Sequence, residues 1–175
     1  MIKCKTIALP MVFIALFSGC YSFRGISIPD EASTFSAISF EDQTRGGNAP
    51  PPTIFNQFTE SLKDKVRNET KLNLVNGDAD IEFSGGITRF DVSYEAPSAN
   101  DRAIGGTSGA FNRLTITVEV NYTYRHDDTK NWKQSFSFYD DFGADQILSD
   151  VQDDLIKTIF DQILEQIFQK AFGDW

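Results

Sequence analysis

Apolar residues recur at every second position through Leu114, Ile116, Val118, Val120, Tyr122 and Tyr124, set against Thr115, Thr117, Glu119, Asn121 and Thr123. A period of two places the two sets on opposite sides of a pleated ribbon, so the stretch predicts a half-buried β-strand. A turn signal follows at residues 127–131. Beyond it Trp132, Gln134, Phe136 and Phe138 alternate with Lys133, Ser135, Ser137 and Tyr139, and the two stretches together predict an antiparallel hairpin. Upstream, after the turn signal Asn76-Gly77-Asp78, Ile81 and Phe83 alternate, Gly85-Gly86 interrupts, and Ile87, Phe90, Val92 and Tyr94 resume. The paired Gly predicts a bulge or bend in one long strand, or two short strands. A first strand is expected over residues 35–40, from Phe35, Ile38 and Phe40 among Ser and Ala.

Two stretches carry the helical period instead. Ile54, Phe55, Phe58, Leu62 and Val66 share one face, with Glu60, Lys63, Asp64 and Arg67 opposite, and Thr53 stands where an N-cap belongs. Near the C-terminus the pairs Leu155-Ile156, Ile159-Phe160, Ile163-Leu164, Ile167-Phe168 and Ala171-Phe172 recur every four residues. That broad stripe predicts a long helix across a twisted sheet, running to about residue 172. Ser149 with Gln152 reads as a capping box, and Asp150, Asp153 and Asp154 as first-turn acids favoured by the helix dipole. Lys157, Asp161, Glu165 and Lys170 make the helix unfit for a membrane interior.

The order β-α-β-β-β-α predicts an α+β domain of two layers: two helices on one face of a roughly four-stranded, mostly antiparallel sheet. The first helix would make a crossover between the first two strands. The opposite sheet face is left with Thr, Asn, Ser and scattered charge. Residues 44–53 carry Gly46-Gly47 and Pro50-Pro51-Pro52 and must be a loop. Residues 96–111, rich in Ala, Gly and Ser, form a connection long enough to be functional or mobile.

The N-terminus changes what the domain is for. Lys3 and Lys5 precede an apolar stretch over residues 7–17, and Ser18-Gly19 precede Cys20. This is the layout of a secretory signal, residues 1–19, too short for the roughly 20 apolar residues that span a bilayer as a helix. Leu16-Phe17-Ser18-Gly19-Cys20 resembles a bacterial lipobox, with Phe17 in the place usually held by Leu. Cys20 is therefore the expected lipidation site, carrying acyl chains such as palmitate; two or more chains are what stable anchoring requires. Residues 20–33 would be the lipidated tether and 34–175 a single domain. Removing Lys3 and Lys5 from the 16 basic residues leaves 14 against 25 acids, a net charge of −11. Such a body is repelled by anionic headgroups and is a poor partner for nucleic acid.

Little in the chain points to catalysis. Two Cys and one His supply too few ligands for a Cys/His zinc site, which takes about four. Asp127-Asp128 reads as turn chemistry, Asp140-Asp141 as a strand end and Asp153-Asp154 as helix-start acids, and residues 127–131 lack the Gly and distal Glu of a calcium loop. His126 is expected to be solvent-exposed and idle. Gly105-Gly106-Thr107-Ser108-Gly109 resembles a phosphate loop in composition alone, and Ser108 has no base beside it in sequence. Arg89, Arg102, Arg113 and Arg125 lie near the central strands and the long loop; if several converged they could meet phosphate or carboxylate groups of a lipid, and otherwise they are isolated solvated side chains with local acidic neighbours. No cofactor, metal or catalytic residue is expected.

Four segments carry a family resemblance: Cys20-Tyr21-Ser22-Phe23-Arg24-Gly25-Ile26-Ser27-Ile28-Pro29, Asn112-Arg113-Leu114-Thr115-Ile116-Thr117-Val118, Gln134-Ser135-Phe136-Ser137-Phe138-Tyr139, and Ile167-Phe168-Gln169-Lys170-Ala171-Phe172-Gly173-Asp174-Trp175. Together they resemble the LptE family of lipopolysaccharide-assembly lipoproteins in its Bacteroidota form, over nearly the whole mature chain. The resemblance implies an outer-membrane lipoprotein on the periplasmic face whose two-helix domain plugs the LptD β-barrel and assists its assembly and the delivery of lipopolysaccharide to the outer leaflet. Tyr21 after the lipidated Cys, in place of Asp, is similar to the enterobacterial outer-membrane sorting pattern. The alternative is a stand-alone periplasmic lipid-binding or structural envelope lipoprotein with an apolar slot between its layers. A third, an enzyme of envelope metabolism, would depend on His126 or the Asp pairs.

Overall fold

The alternating stretch at the centre of the chain forms the longest ladders of the fold. In the computed structural model, which describes residues 27–96 and 110–173, strand β4 (Ile81–Glu95) pairs antiparallel with β5 (Phe111–Tyr124), and β5 with β6 (Trp132–Gly143). In β5 every second residue from Leu114 to Tyr124 is buried, as the period of two requires. The Gly pair does not split β4. Register slips instead between Ile87 and Arg89, one residue beyond Gly86, where the strand twists against β5.

The N-terminal side departs from the four-strand expectation. The strand expected over 35–40 ends early, as β1 (Thr34–Ala37), a separate β2 (Glu41–Asp42) follows beyond it, both parallel to β4, and β3 (Asn73–Leu74) adds a parallel edge beside β1. The sheet is thus six-stranded and mixed, in the order β3-β1-β4-β5-β6 with β2 also on β4. Residues 34–48 run alongside β4 for most of its length: Ile38 N–H donates to Phe83 O, Gln43 N–H to Ile87 O, and Asn48 N–H to Phe90 O.

Helix α1 (Ile54–Glu69) links β2 to β3, and α2 (Leu148–Phe172) follows β6. Both expected caps are absent. Thr53 takes a helical backbone without a side-chain bond, and α2 begins at Leu148, with Ile147 preceding it and Ser149 Oγ turned to Asp150 Oδ1 at 3.1 Å. Asp150 remains in the first turn, while Asp153 and Asp154 fall in the second.

The core lies between helices and sheet. Phe58 of α1 meets Phe40 edge-on at 4.8 Å and Phe160 of α2 at 4.9 Å, and all three rings are buried. Thr59 Oγ1 accepts from the buried N–H of Phe40 at 3.0 Å and donates to Phe55 O at 2.8 Å, so the chain turns between β1 and β2 without an orphaned amide. Lys65 of α1 bridges Glu69 and Glu165 of α2, each at 2.8 Å, and lies 5.2 Å from the Phe168 ring centroid.

Candidate functional site

Alternation along β4, β5 and β6 leaves the face away from the helices to their polar positions. Register pairing sets Ser93, Arg113 and Asp141 in one row, then Asp91, Thr115 and Tyr139, then Arg89, Thr117 and Ser137. Both helices lie on the other face, so this one is open among the described residues. Thr117 Oγ1 and Ser137 Oγ stand 3.0 Å apart across it.

Arg113 is held in place on this face. Its Nε and Nη2 donate to Asp141 Oδ1 and Oδ2 at 2.7 and 2.9 Å, a two-pronged pair, and its guanidinium carbon sits 3.8 Å from the Tyr139 ring centroid. The Asp141 carboxylate pushes the guanidinium pKa above its ordinary value, so the charge is permanent. Arg89 is exposed four residues further along the neighbouring strand, roughly 13 Å away, and forms no ion pair with a described residue. Where the segment that follows β2 meets the sheet, a cleft of about 610 Å³ opens, lined by Gln43, Thr44, Arg45, Thr88, Glu119 and Ser135. Arg45, in the Gly-rich loop, was not a candidate on sequence grounds, because nothing in its neighbourhood reveals that the loop folds back along β4.

Arg125 lies elsewhere. Twelve residues beyond Arg113, at the opposite end of β5 and about 40 Å along an extended strand, it faces Asp78 Oδ1 at 3.3 Å. Arg89 and Arg113 therefore share a face, Arg125 does not join them, and Arg102 lies outside the described residues, as does Cys20.

The end at which the chain enters the domain holds a second polar cluster. Asp80 Oδ2 accepts from the N–H groups of Ser33 and Thr34 at 2.9 Å each and from Thr34 Oγ1 at 2.7 Å, which fastens the lead-in segment to the sheet. His126 is not idle: its Nε2 is 3.0 Å from Asp80 Oδ1 and its Nδ1 3.8 Å from Glu31 Oε2. The Ser33 amide first, then His126 and Thr34, hold the Asp80 carboxyl well below the usual carboxylate range. Forty-six residues separate Asp80 from His126, and the cluster arises because β4 begins where β5 ends. Asp127 behaves as turn chemistry predicts, accepting from Thr129 N–H at 3.0 Å ahead of a single 3-10 turn, Asp128–Lys130. Among the described residues no group of three His, Cys, Asp or Glu side chains is placed to hold a metal ion. No described helix is long and apolar enough to cross a membrane.

A two-layer domain with an open polar sheet face and an entry segment pinned at one end belongs to the class of small α+β domains with helices on one face of a mixed sheet. The sequence model of the LptE family, described as lipopolysaccharide-assembly, matches residues 33–171. The chain is a member of the LptE family. Among solved structures it is similar to the minor lipoprotein of Acinetobacter baumannii, at 12% identity and a TM-score of 0.48 over 79% of this chain and 91% of that one. It is also similar to the rare lipoprotein B of Shewanella oneidensis, at 8% identity and a TM-score of 0.43 over 78% and 88%. No curated protein matches the sequence.

Proposed function

We propose that the protein is an outer-membrane lipoprotein, anchored through acylated Cys20 after removal of residues 1–19, that binds and plugs an LptD-type β-barrel from the periplasmic side. It assists assembly of that barrel and delivery of lipopolysaccharide to the outer leaflet, and it performs no reaction. Residues 20–33 are its tether and 34–175 its single domain. The observation that carries this reading is the family match across residues 33–171. The open sheet face supports it: a plug must present polar groups to a wet lumen, and Thr115, Thr117, Ser137, Arg89 and Arg113 do so here.

Arg89 and Arg113, which share that face, are the proposed contacts to lipopolysaccharide phosphates or to the barrel, with Arg102 and Arg125 as further candidates. The stand-alone lipid-binding alternative calls for a slot between the layers, and the interlocked Phe40, Phe58 and Phe160 rings fill that space where α1 and α2 meet.

The test is mild-detergent extraction of native outer membranes with the tagged full chain. Recovery of a large β-barrel in a stable complex is expected, and depletion of the protein should lower both barrel abundance and surface lipopolysaccharide. Recovery free of any barrel, with surface lipopolysaccharide unchanged on depletion, overturns the reading.

A further inference from the structure

β6 is the terminal strand of the sheet, and among the described residues nothing pairs with its outer edge. The phase of that edge follows from two hydrogen bonds. Arg125 N–H donates to Asp80 O on the β4 side of β5, whereas Tyr124 N–H donates to Asn131 Oδ1 on the β6 side. Backbone groups alternate sides along a strand, so the even residues of β5 and β6 bond one another and the odd residues of β6 turn outward. Two of those outward amides are taken up locally: Asp141 N–H donates to Asp140 Oδ1 at 2.9 Å, and Gly143 N–H to Gln146 Oε1 at 2.7 Å. The backbone groups of Lys133, Ser135, Ser137 and Tyr139 have no partner among the described residues. The edge is closed at its C-terminal end and open over the preceding stretch, about 20 Å long.

Exposed edges are normally blunted by Pro, by a bulge or by charges spread along the strand. The open stretch has no Pro, keeps its register with β5 without a shift, and carries no charge between Lys133 and Asp140.

What fits such an edge is set by its spacing. Outward N–H and C=O groups recur at every second residue, a repeat that extended backbone matches and that isolated side chains or lipid groups do not. A strand added there lies beside Trp132, Phe136 and Phe138 on the helix side. Trp132 and Phe138 are only partly buried although they pack against the core, so apolar residues at alternate positions of the added strand complete its cover. On the open face its neighbours are the exposed Ser135, Ser137 and Tyr139, which call for polar residues in between. Charge gives the occupant a direction: Asp141 is already neutralised by Arg113, whereas the Lys133 side chain is 60% exposed beside Glu119 and suits an acidic residue at that end.

We infer that the outer edge of β6, from Lys133 to Tyr139, is the docking strand for an extended segment of the partner barrel chain, which joins this sheet by strand addition. The inference rests on the barrel-plug reading above and names the element through which the plug is held. A closed barrel has already paired every strand of its wall, so the segment is a loop or terminal stretch of that chain with alternating apolar and polar residues.

Proline at an outward position tests this, because it removes an N–H that the β5 ladder does not use. In the full chain produced with its barrel, Ser137→Pro is expected to keep the fold by circular dichroism and to lower barrel recovery about tenfold. Ser137→Ala, which loses only the hydroxyl, should recover the barrel as wild type does. Hydrogen exchange of the unsubstituted chain, followed residue by residue, gives a second readout should the Pro variant not fold. The amides of 133, 135, 137 and 139 should exchange at least about tenfold more slowly in the complex than in the isolated chain. Wild-type recovery with folded Ser137→Pro, or equal exchange of those four amides in chain and complex, overturns the inference and leaves the barrel-plug reading standing. Failure of the unsubstituted chain to recover any barrel overturns both.

Discussion

Gly85 of β4 lies so close to Glu119 of β5 that a Cβ built on it would stand 2.0 Å from the Glu119 carbonyl oxygen, with Phe40 at 3.1 Å on another side. Its φ of +152° is also one that side-chain-bearing residues rarely adopt. Gly85→Ala is therefore expected to destabilise the domain by at least about 2 kcal/mol. Gly77→Ala, where φ is +107° but nothing lies within 4 Å, should cost about 1 kcal/mol from the backbone alone. Urea denaturation of the two variants side by side checks the contrast; equal losses would mean that crowding against Glu119 contributes nothing.

Phe58 is the side chain on which both helices and the β1–β2 turn converge. Truncating it removes two edge-on ring contacts and opens a void that Phe40 and Phe160 cannot close without leaving their own positions. Phe58→Ala should cost about 3–5 kcal/mol, read as a lower urea midpoint with an unchanged m-value.

The Asp80 clasp has a defined pH dependence. Its folded pKa lies below its unfolded value, which is near 3.9. The stabilisation is therefore complete above about pH 4 to 5 and is lost as the pH falls through the folded value. Thermal melts of wild type and Asp80→Asn should differ at pH 5 and converge as the pH falls below 4. A difference that grows below pH 4 would contradict the assignment.

Lys65 bridges the helices, yet its partners are well solvated: the Glu69 and Glu165 side chains are 43% and 50% exposed. Burial works against the Lys65 charge, and the bonds to Glu165 and Glu69 outweigh it, raising its pKa. Lys65→Met keeps the stem over Phe168 and removes the charge, so the expected loss is under about 1 kcal/mol and shrinks further in high salt. Melts at low and high ionic strength measure it.

Most of the scaffold was legible in the residue pattern because its long elements repeat one period many times. The alternation in β5 and the paired apolar residues of α2 each bury one side against a large partner, so pattern and burial coincide there, while in the edge strand β6 only Phe136 and Phe142 are buried. The short parallel strands were not legible. Glu41-Asp42 and Asn73-Leu74 are exposed and carry no pattern, and they become strands because β4 and β1 offer free ladder positions beside them. The missing caps have a similar origin: Thr53 follows three prolines in a turn closed by Ile54 N–H to Pro51 O, and Gln146 Oε1 accepts from Gly143 N–H just ahead of α2.

By itself the sequence determined the α+β class, the two amphipathic helices, the central hairpin and the scarcity of groups for chemistry, since each depends on residue type and local spacing. Tertiary structure alone decided that Arg89 and Arg113 share a face while Arg125 does not, that His126 meets Asp80, and which backbone groups of β6 turn outward. Those relationships join residues tens of positions apart, through strand register and the bulge between Ile87 and Arg89, and no local period encodes them.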